Sequence, residues 1–243
     1  MIRRYYKVKY QAVFQRYEKK YLIRQSMYEQ ILRELSPYMQ RDQYGLHTIT
    51  SLYCDTDDYA LIRASLQKPV FKEKLRLRCY GQPAMEDEVY LELKKKFNGV
   101  VYKRRISLPL YDAEEYLQGT GSIRDRGQIA EEIEWFVSRY RPSPKLLLAY
   151  DRIALYGTDD PQLRITFDQN VRWRDHDLNL SRGSYGTPLM PGGDILMEIK
   201  AFAAVPLWLS GILSVNRLYP TSFSKYGTWY QDCYLRGEGR RYA

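Results

Sequence analysis

This chain of 243 residues is poor in the residue types on which many catalytic and structural sites are built. Its three cysteines, Cys54, Cys79 and Cys233, are odd in number, far apart and form no CxxC pair. They indicate neither a zinc site nor a disulfide framework, so the expectation is reduced thiols in a cytoplasmic protein. There are two histidines, His47 and His176, in unrelated contexts, and Arg174-Asp175-His176-Asp177 reads as a solvated turn. No P-loop, GxGxxG or GxSxG occurs, which removes the usual sequence signatures of nucleotide cradles and serine hydrolases. The longest apolar run, Val205 to Val215, is too short for a bilayer and is interrupted by Pro206, Ser210 and Gly211. MIRRYYKVKYQ lacks the apolar core of a signal peptide. Repeats, low-complexity tracts and Pro/Gly/Ser-rich linkers are also missing. One domain over 1–243 is expected, with a core of about 14–230 and a basic tail.

What is present is positive charge, arranged with a period. Lys and Arg number 38 against 29 Asp and Glu, a net charge of +9, which calls for an anionic partner: a phosphate compound, a nucleic acid or a membrane surface. In KLRLR, Lys74, Arg76 and Arg78 alternate with Leu75 and Leu77, and in LELKKK, Glu92, Lys94 and Lys96 alternate with Leu91 and Leu93. Lys20, Arg152, Arg164 and Lys200 likewise occupy one phase, against Tyr21, Ile153, Ile165 and Ile199. Strand side chains alternate between faces, so each segment sends its charges one way and its apolar groups the other. For a single strand, an ordinary half-exposed sheet explains this. Taken jointly, the runs of Arg and Lys favour a lined cavity. Arg76 beside Arg78, and Lys94 beside Lys96, repel one another, and a phosphate chain offsets that repulsion while accepting bidentate bonds from Arg.

Glu18, Glu92 and Glu198 share the phase of Lys20, Lys94 and Lys200. They suit either cross-strand charge pairing or a Mg²⁺ or Mn²⁺ site completed by substrate phosphates, the second being favoured for Glu198. Asp151 has the opposite phase to Arg152 and is expected to pair structurally. No conventional nucleophile stands out. Phosphoryl transfer needs none, because positioning and charge neutralisation supply most of its catalysis.

Patterning predicts strands over Phe14–Ile23, His47–Asp55, Phe71–Tyr80, Glu88–Phe97, Val100–Leu108, Leu146–Leu155, Leu163–Asp168 (with Asn170–Arg174 as an extension) and Ile195–Lys200. Asn98-Gly99 marks a tight hairpin. Helices are expected after capping boxes at Ser26-Met27-Tyr28-Glu29 and Asp112-Ala113-Glu114-Glu115, over the Ile129–Tyr140 face, and over Pro206–Asn216. Thr56-Asp57-Asp58 reads as a turn or helix start, and 181–193 as a loop. Many short strands joined by tight turns, interrupted by helices, give an α+β class: an antiparallel β-barrel with helices packed outside.

The ordered segments Arg16-Tyr17-Glu18-Lys19-Lys20-Tyr21-Leu22, Ser51-Leu52-Tyr53-Cys54-Asp55-Thr56, Lys74-Leu75-Arg76-Leu77-Arg78-Cys79-Tyr80-Gly81, Leu91-Glu92-Leu93-Lys94, Tyr150-Asp151-Arg152, Arg164-Ile165-Thr166-Phe167-Asp168, Met197-Glu198-Ile199-Lys200 and Phe223-Ser224-Lys225-Tyr226 together resemble the VTC domain. This is the polyphosphate polymerase domain of the vacuolar transporter chaperone family and its bacterial relatives. The resemblance spans roughly Phe14 to Tyr230. It implies the triphosphate tunnel metalloenzyme (CYTH-like) fold, with transfer of the ATP γ-phosphate to growing polyphosphate and a need for Mn²⁺ or Mg²⁺. On matching motifs, Arg76, Arg78, Lys94 and Lys225 would act on the transferring phosphoryl. Lys20, Arg152 and Arg164 would grip phosphates, with Lys74, Lys96 and Lys200 in the same phase. Tyr150 would serve the nucleotide end, and Glu198, with Glu18 and Glu92, the metal. Lys103 and Arg105 add a basic pair, Arg104 having the opposite phase unless a bulge exchanges them.

The sequence departs from the family in two respects. It shows no SPX sensor and no membrane helices, so regulation and transport coupling are not carried over, and membrane association is expected only through a partner protein. Its first strand has a single Glu before Lys20 where CYTH phosphatases have ExExK, which fits a polymerase better than a hydrolase. The alternatives are a tunnel triphosphatase acting on tripolyphosphate or nucleoside triphosphates, and a non-catalytic binder of polyphosphate or nucleic acid. The 24 tyrosines are scattered, form no stacking platform, and give no reason to expect a specific nucleic acid.

Overall fold

The computed structural model describes residues 13–14, 17–98, 100–190, 192–202 and 204–236. Arg16, Gly99 of the hairpin turn and the tail from 237 onward lie outside the described residues. The strands are β1 (Val13–Phe14), β2 (Tyr17–Ile23), β3 (Met39–Arg41), β4 (His47–Asp55), β5 (Phe71–Tyr80), β6 (Glu88–Phe97), β7 (Val100–Pro109), β8 (Ser143–Gly157), β9 (Arg164–Arg174), β10 (Thr187–Pro188) and β11 (Ile195–Ala201). The helices are α1 (Gln25–Leu35), α2 (Ala60–Leu66), α3 (Leu110–Gln118), α4 (Gln128–Tyr140), α5 (Leu207–Val215) and α6 (Lys225–Thr228), the last continuing into a π-helical stretch, Trp229–Leu235.

All strand pairs are antiparallel, in the order β1-β7-β6-β5-β4-β8-β9-β11-β2, with β10 on β9 and β3 on β8. The path is open between β1 and β2, yet these end strands are consecutive in the chain. The sheet therefore curls, bringing its two ends close together. The β6–β7 hairpin closes on two residues, Phe97 opposing Val100, with Asn98 at φ +44°, a left-handed conformation that asparagine tolerates.

The apolar phases pack outward. Leu75, Leu77, Leu91, Leu93, Ile106 and Leu108 form one core with Ala113 and Tyr116 of α3 and Ala130, Ile133 and Phe136 of α4. Tyr21, Ile23, Ile165, Phe167, Met197 and Ile199 form a second with Ile31 and Leu35 of α1 and Leu209 and Leu213 of α5. A third cluster lies inside the curl. Ile49, Leu146, Leu148, Tyr150 and Val171 sit on the charged phase and are covered by Tyr226, Trp229 and Tyr230. A register shift between Ala149 and Asp151, with Asn170 at φ +51°, is a β-bulge that turns Val171 and Trp173 toward this segment. β9 thus runs through Asn170 without a break.

Neither expected capping box forms. α1 starts at Gln25 with no side-chain cap, so Ser26 is already helical. α3 starts at Leu110, two residues before Asp112, because its first amides are satisfied otherwise: Leu110 N–H donates to the Asp87 carbonyl and Tyr111 N–H to that of Met85. Asp55 makes the cap that had not been expected. Its carboxylate accepts from the Leu61 and Ile62 amides of α2 at 2.9 and 3.0 Å.

Candidate functional site

Period-two alternation in the sheet, opposed to these outer cores, gathers the charged side chains on the concave face. One centre is Glu92 of β6, fully buried. Register places it between Arg76 of β5 and Arg105 of β7. Its Oε2 accepts from Arg76 Nε at 2.8 Å and lies 3.9 Å from Arg78, while Oε1 meets Lys103 at 2.6 Å and accepts from Arg105 Nε at 2.8 Å. Burial alone would raise this carboxyl's pKa, but Arg76, Arg78 and Lys103 override it and keep Glu92 ionised well below the ordinary carboxylate range. Arg76 is further held by Tyr53, whose hydroxyl accepts at 3.2 Å. Arg78 donates to Ser51 Oγ and to Tyr150 Oη, each at 3.1 Å. Lys103 and Arg105 share the concave phase, and Arg104 points outward to Glu132 of α4. No bulge exchanges them.

The second centre spans β2, β11, β9 and β8. Glu198 of β11 opposes Lys20 of β2 and Thr166 of β9. Its carboxylate lies 2.8 Å from Lys200, 3.4 Å from Lys20 and 4.0 Å from Lys225. Lys20 also lies 3.7 Å from Glu18. Asp168 of β9, fully buried, accepts two bonds from Arg152, at 2.6 and 2.8 Å, and one from Lys225 at 2.5 Å. Burial opposes ionisation of Glu198, but Lys200, Lys225 and Lys20 hold its carboxyl well below the usual range. Lys225 Nζ stands 4.3 Å over the Tyr150 ring, so Tyr150 touches both centres.

The two centres face each other across the curl. Lys94 of β6 feels the charges of Glu18, Arg76, Lys20 and Glu198, although β6 and β2 lie near opposite ends of the sheet path. Burial and the neighbouring lysines push Lys74 down to about 8. Burial would raise Tyr53, but Arg76, Arg78 and Lys74 bring its hydroxyl down to about 8. The Tyr53 shift is a sign of excess positive charge, whereas that of Lys74 owes most to burial.

Lys20, Lys74, Arg76, Arg78, Lys94, Lys103, Arg105, Tyr150, Arg152, Lys200 and Lys225 are therefore brought together with Glu18, Glu92 and Glu198. Arg164 is exposed at the rim, 3.8 Å from Asp42, and Lys96 lies beside Lys72 in register. The three glutamates do not form one carboxylate cluster. Among the described residues no group of three or more His, Cys, Asp or Glu side chains is placed to hold a metal, and both Glu92 oxygens are taken by cations. Asp151 pairs with Arg172, Thr48 and Asn170, away from Arg152's partners. Sequence reasoning passed over Asp168, Tyr53 and Ser51 as site residues. Their shared phase with Arg164, and with one another in β4, was the available signal.

Among solved structures, a putative adenylate cyclase from Bacillus halodurans superposes with a TM-score of 0.56 at 14% identity, covering 88% of this chain and 96% of that one. A putative adenylyl cyclase from Hippeastrum, described as having a dominant triphosphatase activity, gives 0.53 at 18%, covering 88% and 94%. These likenesses show the fold. Subunit 4 of the vacuolar transporter chaperone complex of Trypanosoma brucei brucei is 24% identical over 216 residues, covering 73% of this chain. The chain spans only 27% of that relative's length. Residues 15–234 match the VTC domain, and the chain belongs to that family.

Proposed function

We propose that the chain is a metal-dependent polyphosphate polymerase that transfers the γ-phosphoryl group of ATP to the end of a polyphosphate chain inside the curled sheet. The observation that carries this reading is the charge excess around Glu92: Arg76, Arg78, Lys103 and Arg105 surround one buried carboxylate, and Lys74 and Lys94 face each other next to them in the same phase of β5 and β6. Such an array is poorly compensated until polyanionic oxygens enter, and guanidinium groups fit phosphate oxygens two at a time.

The donor set fits a divalent ion at the second centre. Glu18 and Glu198 are close enough to perturb one another. Thr166, opposite Glu198, carries a buried hydroxyl with no hydrogen-bond partner, as a site missing a ligand would. One or two carboxylates, completed by phosphate oxygens and water, satisfy Mg²⁺ or Mn²⁺. When bound, the ion would neutralise phosphate charge. The protein's own groups do the rest. Arg76 and Arg78, held rigid by Glu92, Tyr53, Ser51 and Tyr150, would spread the charge of the transferring phosphoryl. Lys94 and Lys225 would hold donor and acceptor in line from opposite walls. A terminal acceptor oxygen bonds to the γ-phosphorus as its bond to the β,γ-bridging oxygen breaks, and ADP leaves. The acceptor phosphate is already anionic, so no general base or protein nucleophile is required.

Among the described residues no helix is long and apolar enough to cross a membrane. In this reading the reaction is cytoplasmic, and membrane contact would be made by a partner protein. Incubating the purified protein with ATP and Mn²⁺ or Mg²⁺ tests the proposal. Long phosphate chains on a gel are expected. Orthophosphate as the sole product would replace it with a triphosphatase, and binding without turnover with a phosphate-binding module.

A further inference from the structure

The concave face changes character along its strands. At the edge where β5 ends and β4 and β6 begin, the charged phase turns aromatic. Tyr80 follows Arg78 in β5, Tyr90 precedes Glu92 in β6, and His47 opens β4 opposite Arg152. The rings are contiguous. Tyr80 and Tyr90 meet edge-on with centroids 5.7 Å apart, and His47 lies 6.2 Å from Tyr80. Arg105 joins them to the phosphate-binding array: its guanidinium lies 4.1 Å over the Tyr90 ring, one nitrogen donates to Tyr80 Oη at 3.1 Å, and Nε is bonded to Glu92. Tyr80 is 48% exposed, so the cluster faces solvent at the edge and cations within. At the opposite edge the same phase carries lysines, Lys72 facing Lys96 in register and Lys74 facing Lys94.

A phosphate chain has nothing to offer an aromatic ring, whereas every nucleobase has a π-face that stacks on tyrosine or on an arginine plane. Tyr80 lies four positions beyond Arg76 in β5, roughly 13 Å along a strand. That leaves room for a ribose and the first phosphate between a stacked base and Arg76, with Arg78 and Arg105 alongside. We propose that the edge formed by Tyr80, Tyr90 and His47 is the nucleobase subsite of the phosphate donor, and that the Lys72–Lys96 edge takes the phosphate chain beyond it. This rests on the polymerase reading and gives its tunnel a direction.

The test separates base from phosphate binding without turnover. A non-hydrolysable ATP analogue and inorganic tripolyphosphate are titrated calorimetrically into the full chain and its variants. Tyr80→Ala should weaken the ATP analogue about tenfold, as loss of one base–aromatic stack does, and leave tripolyphosphate affinity within about twofold. Tyr80→Phe, which keeps the ring and loses only the bond from Arg105, should retain most of the ATP affinity. The paired change Lys72→Ala with Lys96→Ala should weaken long-chain polyphosphate more than the ATP analogue. Equal losses of ATP and tripolyphosphate in Tyr80→Ala, or no loss in either, would overturn the subsite while leaving the polymerase reading intact. Wild-type protein that binds neither ligand would remove both.

Discussion

The two walls of the tunnel are built from the same alternating pattern and have opposite needs. Around Glu92, the strands β5, β6 and β7 set many cations about one carboxylate. Around Glu198 and Asp168, the strands β2, β11, β9 and β8 set Lys20, Lys200, Arg152 and Lys225 against three acidic groups counting Glu18, which is close to balance. The first wall lacks anions. The second sets each carboxylate against nearly equal positive charge. Alternation alone builds a lined cavity, and the ratio of acid to base within each wall decides what charge it can face.

The sharpest way to break the first wall is Arg76→Ala. On the proposed function it removes a guanidinium from beside the transferring group, and polyphosphate formation should fall by about a thousandfold, in line with the loss of a charge-stabilising arginine in other phosphoryl transfers. Circular dichroism should remain native. A fall of less than tenfold would take Arg76 out of the reacting centre.

Glu198→Gln acts on the other wall. It should reduce activity by about a hundredfold and raise the metal concentration needed for half-maximal activity, while tripolyphosphate affinity measured without metal stays the same or improves. Metal dependence identical to wild type would place the ion elsewhere.

Glu92→Gln separates the walls by stability. Removing the one carboxylate among four cations should cost about 3 kcal/mol, since a buried pair broken on one side leaves its partner uncompensated. Because the remaining charge is positive, saturating tripolyphosphate should recover most of the loss, visible as a larger ligand-induced rise in melting temperature than in wild type. A variant as stable as wild type without ligand would contradict the account.

The smallest effect expected is with pH. Lys74 titrates near 8 in the fold, against 10.5 when unperturbed. Between those values the unfolded chain binds more protons, so this group's contribution to stability grows as pH rises from about 8. Tyr53, also near 8, has the same sign. Lys74 loses a positive charge and Tyr53 gains a negative one, so the first wall becomes less positive and phosphate affinity should fall over the interval in which the apoprotein gains stability. Tyr53→Phe should make that fall shallower. Parallel trends in affinity and stability would argue against an electrostatic origin.

The sequence made the sheet legible because periodicity is a local signal. β4, β5 and β6 run between the same residues in the pattern and in the structure. Helix starts were less legible, since the amides of α3 are satisfied by a loop some twenty-five residues earlier in the chain. The site divided along the same line. Arg76 and Arg78 were visible from their spacing, whereas Tyr53 matters because Arg76 and Arg78 of β5 and Tyr226 of α6 act on it. The filling of the curl by Tyr226, Trp229 and Tyr230 had no local mark, because Trp229 and Leu148 could equally have belonged to an outer core. The bulge at Asn170 is equally silent in the pattern.

Lys225 closes on Asp168, and Tyr226 donates to Asp55 across 171 positions of chain. A growing polypeptide therefore makes every strand of the tunnel before it makes the lysine and the aromatic filling that finish it. Contacts of such sequence separation are slow to form. In refolding experiments phosphate binding should emerge with the last kinetic phase, after the sheet's circular-dichroism signal. Until then the nascent protein holds an incomplete ring of mutually repelling cations.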